Sequence, residues 1–157
     1  MTSYLIDVNV WLALSSRQHP SHRGAARWFD SVGEARFLIC RLTMLGLLRL
    51  LTNRAVMDDN PETLAGALAI YDRWMEDPRV ELAGEPRGTE ELFRKAIAPF
   101  LSQPASKAVS DSYLAGFAEA VGANLVTFDK GLYSAAKARR TPCTLVGWTG
   151  TERDRLD

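Results

Sequence analysis

The chain has little of several things that commonly announce a function. It holds two cysteines, Cys40 and Cys143, in 157 residues. They make no metal-ligand spacing, and Cys40, at the end of an apolar run, reads as a buried thiol rather than a reactive one. Cysteine used this sparingly fits a reducing compartment, the cytosol. The two histidines, His19 and His22, flank Pro20-Ser21 in one loop, and without a third ligand they read as polar loop residues. Net charge is also missing: 19 basic residues balance 19 acidic ones. No overall field draws the chain onto nucleic acid, so such binding needs a local basic surface or a metal. No apolar run approaches the ~20 residues that span a bilayer. The first run is broken by Asp7 with no basic region before it, which is not the pattern of a signal peptide. Glycine-rich phosphate loops, the dinucleotide fingerprint and a Ser-His-Asp order are absent too.

What is present is a repeated alternation of strand and helix signals. The length suits one domain, since domains commonly run to ~100–150 residues; we place it at 1–148, with 149–157 a polar tail that frays. Strands are expected at Tyr4–Ile6, Phe37–Cys40, Arg79–Ala83, Asn124–Phe128 and Thr144–Val146, as short apolar runs bounded by turn residues. Helices are expected from Val8 to Ser15, from Ser21 to a stop at Gly33, from Leu42 to Asn53, from Asn60-Pro61 to Asp77, from Thr89 past Ile97, from Ser110 to Gly122, and from Leu132 to Arg140. The helix Leu42–Asn53 is apolar nearly all round, which calls for burial on several sides or a covering partner. This order implies an α/β domain with a mostly parallel sheet and helices on both faces.

Two of these strands stop at an acid. Tyr4-Leu5-Ile6 ends in Asp7, and Leu125-Val126-Thr127-Phe128 ends in Asp129. Ligands of open parallel sheets gather outside the carboxyl ends of the strands. Each Asp alone is explained as a helix cap; two at one rim suggest a site. Asp111 is a third acid. Leu114, Ala118 and Val121 follow it at helical spacing, placing it at the first turn on the side facing the sheet. Clustered carboxylates repel, and at least one pKa rises unless a cation compensates. A hard divalent ion such as Mg²⁺ or Mn²⁺ resolves the repulsion through oxygen ligands, and the chemistry implied is metal-assisted phosphodiester hydrolysis.

Four segments carry a resemblance: Asp7-Val8-Asn9-Val10-Trp11-Leu12, Leu47-Leu48-Arg49-Leu50-Leu51-Thr52-Asn53, Asp111-Ser112-Tyr113-Leu114-Ala115-Gly116-Phe117-Ala118 and Thr127-Phe128-Asp129-Lys130-Gly131. In this order the chain resembles the PIN-domain family, and within it the VapC-type toxin ribonucleases of bacterial toxin–antitoxin pairs, from about Ser3 to Gly147. The resemblance implies a PIN-like three-layer α/β/α sandwich, Mg²⁺- or Mn²⁺-dependent cleavage of RNA, and a cognate antitoxin; with the surplus apolar surface of the middle helix it also implies a homodimer. It makes Asp7, Asp111 and Asp129 the catalytic and metal-binding acids, with Asn9 and Thr127 as polar neighbours that orient a ligand or water. One position departs from the pattern: Met44 stands where many relatives carry a glutamate, leaving three recognisable site carboxylates.

Other residues carry double readings. Arg49, among leucines, is either a phosphate contact or a structural partner of a carboxylate. Lys107, before the Asp111 helix, and Lys130, after Asp129, are candidates for contact with an RNA backbone. Arg139 and Arg140 read as a solvated helix end, Glu119 as exposed, and Trp11, Trp28, Trp74 and Trp148 as core or interface residues. A rival function is a binding module with a weakened acidic site, which captures RNA or a partner without cutting it; Met44 is the residue that favours it. A receiver-type phosphoryl-transfer domain is disfavoured, because Asn9 stands where that site needs a second strand-end acid.

Overall fold

A computed structural model describes residues 1–147; Trp148 and the tail 149–157 lie outside the described residues. The chain runs β1 (Thr2–Ile6), α1 (Val8–Ser15), α2 (His22–Ser31), β2 (Ala35–Cys40), α3 (Arg41–Leu51), α4 (Leu64–Glu76), β3 (Val80–Ala83), α5 (Thr89–Ile97), a 3₁₀ turn (Ala98–Phe100), α6 (Ser106–Val121), β4 (Asn124–Thr127), α7 (Lys130–Ala138) and β5 (Cys143–Leu145). The strands form one sheet in the order β3-β2-β1-β4-β5, and every pairing is parallel. The order reverses between β1 and β4: β2 and β3 build outward on one side of β1, β4 and β5 on the other. This junction is the switch point at which open parallel sheets form ligand crevices. Asp7 and Asp129 follow the two strands that flank it.

Strand side chains alternate between two cores, as a period of two requires. Tyr4, Ile6, Phe37, Ile39 and Val126 face α1 to α4. Leu5, Leu38, Cys40 and Leu125 face α5 to α7. The first core is aromatic: Phe29 stacks on Phe37 at 4.1 Å between centroids, and fully buried Trp11 meets Trp74 edge-on at 5.2 Å. The Arg79 guanidinium lies 4.7 Å from the Phe29 ring centre, held in a fork by both oxygens of Asp77. Trp11, Trp28 and Trp74 are thus core residues. The second core depends on close approach of α5 and α6: a Cβ at Gly116 would lie 2.6 Å from the Phe93 backbone nitrogen. Among the described residues no helix is long and apolar enough to cross a membrane.

Two helix starts, and the burial of one helix, differ from expectation. Helix α6 begins at Ser106, not at Ser110. Pro104 marks the break, and buried Ala108 already belongs to the core face, so Asp111 sits in the second turn and Lys107 inside the helix. Helix α4 begins at Leu64, capped by Thr63, whose hydroxyl accepts from the Gly66 N–H at 3.0 Å. The Asn60-Pro61 signal instead ends a tight turn in which Asp58 and Asp59 hold φ of 48° and 60° and the Asn60 N–H donates to the Met57 carbonyl at 2.8 Å. Helix α3 is less enclosed than its composition implies: Thr43, Leu47 and Leu51 are buried, while Leu42 and Leu45 stay 38% and 50% exposed.

Gly116 supplies a test of the α5–α6 packing. Alanine in a helix gains up to ~1 kcal/mol over glycine, but forced overpacking costs about 1–3 kcal/mol, and here the opposing atom is backbone that no rotamer change removes. Gly116→Ala is expected to lower the thermal midpoint; a midpoint equal to or above the parent's would show that α5 moves aside freely.

Candidate active site

The site grows from the ends of β1 and β4. Asp7 caps α1, its Oδ1 accepting from the Val8 N–H at 2.7 Å. Asp129 caps α7 in the same way, Oδ1 accepting from the Leu132 N–H at 2.9 Å. Both carboxylates therefore cap helices while standing at the junction where the strand order reverses. Between them lies Thr127, with no exposed surface. Its hydroxyl donates to Asp7 Oδ2 at 2.8 Å and accepts from the Asp129 N–H at 3.0 Å, so one side chain locks both strand ends.

Asp111 reaches the same rim from α6. A cleft of about 460 Å³ is lined by Asp7, Asn9, Asp111 and Asp129, with Arg49 from α3 and Lys107 from α6 on its walls. Within it Lys107 makes an ion pair with Asp129 Oδ2. Lys107 and Asp111 are four residues apart on one helix, so the cation and the second carboxylate share a face.

The electrostatics follow from these contacts. Burial pushes the Asp7 carboxyl up; the Thr127 and Val8 hydrogen bonds oppose that shift, and the charge of Asp129 adds to it. Asp111 is pushed up to about 6, first by burial and then by the charge of Asp7. Asp129 moves the other way, because the Lys107 ammonium holds it ionised. The cleft therefore has an unmet demand for positive charge, which Lys107 meets at one of three acids. Its carboxylate, amide and hydroxyl oxygens suit a hard divalent cation. Among the described residues, no three His, Cys, Asp or Glu side chains converge tightly enough to hold an ion as they stand.

The other singled-out residues divide. Arg49 lines the cleft and is exposed. Lys130 lines a different cavity, with Pro20, Ser21 and Phe128. Met44 is half-buried against the α1–α4 core, its sulfur receiving the Arg41 guanidinium at 3.7 Å; the part of α3 that lines the cleft is Leu42, Thr43, Leu45, Gly46, Arg49 and Leu50. Arg139 is not a solvated helix end: it donates to Glu119 Oε2 at 2.8 Å. His22, the first residue of α2, places its Nδ1 2.7 Å from the Ala13 carbonyl of α1, while His19 accepts from the Ser21 N–H at 3.0 Å within the loop. The Lys107–Asp129 pair is the feature that sequence reasoning missed. The four-residue spacing of Lys107 and Asp111 carries the signal, but only once the helix is known to start at Ser106.

Asp111 sets a pH dependence. A carboxyl raised in the fold binds more protons folded than unfolded between its ordinary value and about 6. Stability therefore falls as pH rises through that window, and the loss is complete above it. In a chelating buffer, Asp111→Asn is expected to raise the thermal midpoint at pH 7.5 and to leave it nearly unchanged at pH 4. An equal effect at both pH values would refute the assignment.

A PIN domain model matches residues 4–138. Ribonuclease VapC41 of Mycobacterium tuberculosis is 43% identical over 130 residues, covering 80% of this chain and 88% of its own. Ribonuclease VapC38 of the same organism is 29% identical over 149 residues, covering 90% and 96%. Among solved structures, VapBC2 from Rickettsia felis, bound to a DNA fragment from its promoter, superposes with a TM-score of 0.64 at 12% identity, covering 91% of this chain and 98% of its own. Mycobacterium tuberculosis VapC20, described as a sarcin-ricin loop cleaving toxin, gives 0.63 at 17% identity over 84% and 94%. At those identities the structures share the fold. With the family match spanning most of the chain and the 43% relative nearly its full length, the chain belongs to the PIN-domain family, in its VapC branch.

Proposed function

We propose that this protein is a divalent-metal-dependent endoribonuclease, the cytoplasmic toxin of a toxin–antitoxin pair. The observation that carries the reading is the single cleft in which Asp7, Asp111 and Asp129 meet at the switch point of the sheet. The names of its relatives as ribonucleases support the activity. The three carboxylates, with Asn9 beside them, would hold Mg²⁺ or Mn²⁺. The chemistry such an ion supplies when bound is Lewis-acid polarisation of a phosphodiester oxygen and acidification of the attacking water.

The chain's own residues do the rest. Thr127 orients Asp7 and prevents its carboxylate from rotating away. Arg49 and Lys107 stand on the cleft walls, where an RNA backbone brings its phosphates. Asp111 must lose its proton to act as a ligand, so cation binding releases protons and weakens as pH falls below about 6.

Leu42 and Leu45 on α3, with Leu64 and Leu68 on α4, remain exposed by 38% to 70%. We assign this surface to the cognate antitoxin and to a homodimer contact; solved neighbours of this fold include VapBC complexes. Trp11, being fully buried, contributes nothing to it.

Two measurements test these assignments. Gel assays with Mn²⁺ should show RNA cleavage that EDTA abolishes and that Asp7→Asn reduces to background. Thr127→Val should slow it by ~10- to 100-fold, as loss of an orienting partner does. Chelator-resistant cleavage, or an Asp7→Asn protein as active as the parent, would sink the reading. For the surface, Leu64→Asp with Leu68→Asp should weaken self-association or antitoxin binding by about tenfold or more, the scale of an interface hot spot, in sedimentation and titration experiments; unchanged affinities would move both interfaces elsewhere.

A further inference from the structure

Lys107 stands at a position that its own helix does not favour. It is the second residue of α6, at the positive end of the helix dipole, where a cation is unfavourable. It precedes Asp111 by four residues, and an acid–base pair on a helix is better the other way round, with the acid nearer the N-terminus. Its hydrogen-bond partner among the described residues is Asp129 Oδ2, 22 residues away at the end of β4. The acidic rim, and not the helix, is what stabilises this lysine. We propose that Lys107 is a displaceable counter-ion built into the site: it neutralises the rim until a divalent cation binds there, then leaves Asp129 and takes a phosphate of the RNA. The proposal rests on the nuclease reading above and adds a regulation of that same site.

Lys107 and a metal ion compete for one carboxylate. Asp129 Oδ1 holds the Leu132 N–H, and Oδ2 holds the ammonium. A carboxylate oxygen can serve a neutral N–H and a metal ion together, since it offers about two lone-pair sites. It cannot serve an ammonium and a metal ion together, because the two positive charges repel at that separation. Among the described residues no three acids converge tightly enough to hold an ion as they stand, so binding one requires the rim to rearrange. Lys107 is the group free to move: its side chain is 72% exposed, against 24% for that of Asp129. An exposed pair of this kind contributes little to stability, so a divalent ion exchanges for it readily.

The influence of the ammonium covers the whole rim. Burial raises Asp7 and Asp111, and the Lys107 charge works against that rise at both; at Asp129 its hydrogen bond dominates and holds the carboxyl ionised. Once an ion neutralises these acids, the attraction that keeps Lys107 at Asp129 is lost. A phosphate lying along the cleft wall on which Lys107 stands is then the strongest anion within its reach. Metal binding thus frees the cation that RNA uses. By reciprocity RNA, in drawing Lys107 off Asp129, tightens the metal.

The test uses the full chain. It has four lysines, so ¹⁵N-lysine labelling gives few ammonium signals, and Lys107→Met assigns the one of interest. Titrating Mg²⁺ should move or broaden the Lys107 signal, while that of Lys95, paired with Glu91 on α5, stays in place. Calorimetry with Mn²⁺ and no RNA should show Lys107→Met and Lys107→Gln binding the ion about two- to fivefold tighter than the parent, the scale of an exposed ion pair. Arg49→Gln removes another cleft-wall charge, one without an acid partner among the described residues, and should change that affinity by less than about twofold. In cleavage assays the same lysine variants should raise the KM for RNA about threefold, and the salt slope of kcat/KM should flatten by about 0.7, one phosphate contact on a single strand. Melting curves establish that each variant folds, and two lysine variants keep the test decisive if one does not. A Lys107 signal that ignores Mg²⁺, lysine variants that bind Mn²⁺ no tighter than Arg49→Gln does, or an unchanged KM would each overturn the counter-ion role and leave the nuclease reading standing. If the parent cuts no RNA, or if Asp7→Asn leaves Mn²⁺ binding intact, the nuclease reading falls and the counter-ion role falls with it.

Discussion

The Thr127 hydroxyl, suspended between the Asp7 carboxylate and the Asp129 N–H, is the interaction on which the site depends. Burying a carboxylate is costly unless its oxygens are hydrogen-bonded, and Asp7 is only 6% exposed. The bond requires β4 to lie directly beside β1, which the β3-β2-β1-β4-β5 order provides. Connectivity, parallel pairing and the geometry of two acids are thus one constraint. A strand inserted between β1 and β4 would separate the carboxylates and leave Asp7 without its side-chain partner.

Charge balance is the second theme. Among the described residues, three acids at one rim face one lysine, which ion-pairs with Asp129. The consequence is uneven: Asp129 is held ionised, while Asp111, half-buried beside Asp7, binds its proton more tightly than an ordinary aspartate. Such divergence among neighbouring carboxyls is a mark of functional sites. Here it describes a cleft prepared for more positive charge than the protein itself supplies.

Much of this was legible in the residues. The two acids at strand ends, the parallel α/β alternation and the core tryptophans follow from local pattern, because a strand buried on both faces must be apolar until it leaves the sheet. Other features were not. From sequence, Lys107 stands before a helix starting at Ser110 and is a candidate contact for an RNA backbone; Pro104, not the serine, marks the boundary, and Lys107 pairs with Asp129. Met44 aligned with a site position by spacing along α3, yet the rotation of α3 about its axis sends its side chain toward the core of α1 to α4. Lys130 follows Asp129 immediately in sequence but belongs to another cavity, since successive residues at a helix start point in different directions. Arg139 carried no signal: its partner Glu119 lies 20 residues away on a different helix.

By itself, then, the sequence determined the layers, the strand ends and the identity of the acids. These are properties of periodicity and of where an apolar run stops, and they depend on neighbours within a few residues. Tertiary structure alone decided which side chains share the cleft with those acids. Thr127 against Asp7, Lys107 against Asp129, and Arg139 against Glu119 are contacts across 20 to 120 residues of chain. They are set by the order of strands in the sheet and the rotation of helices over it, for which no local pattern codes.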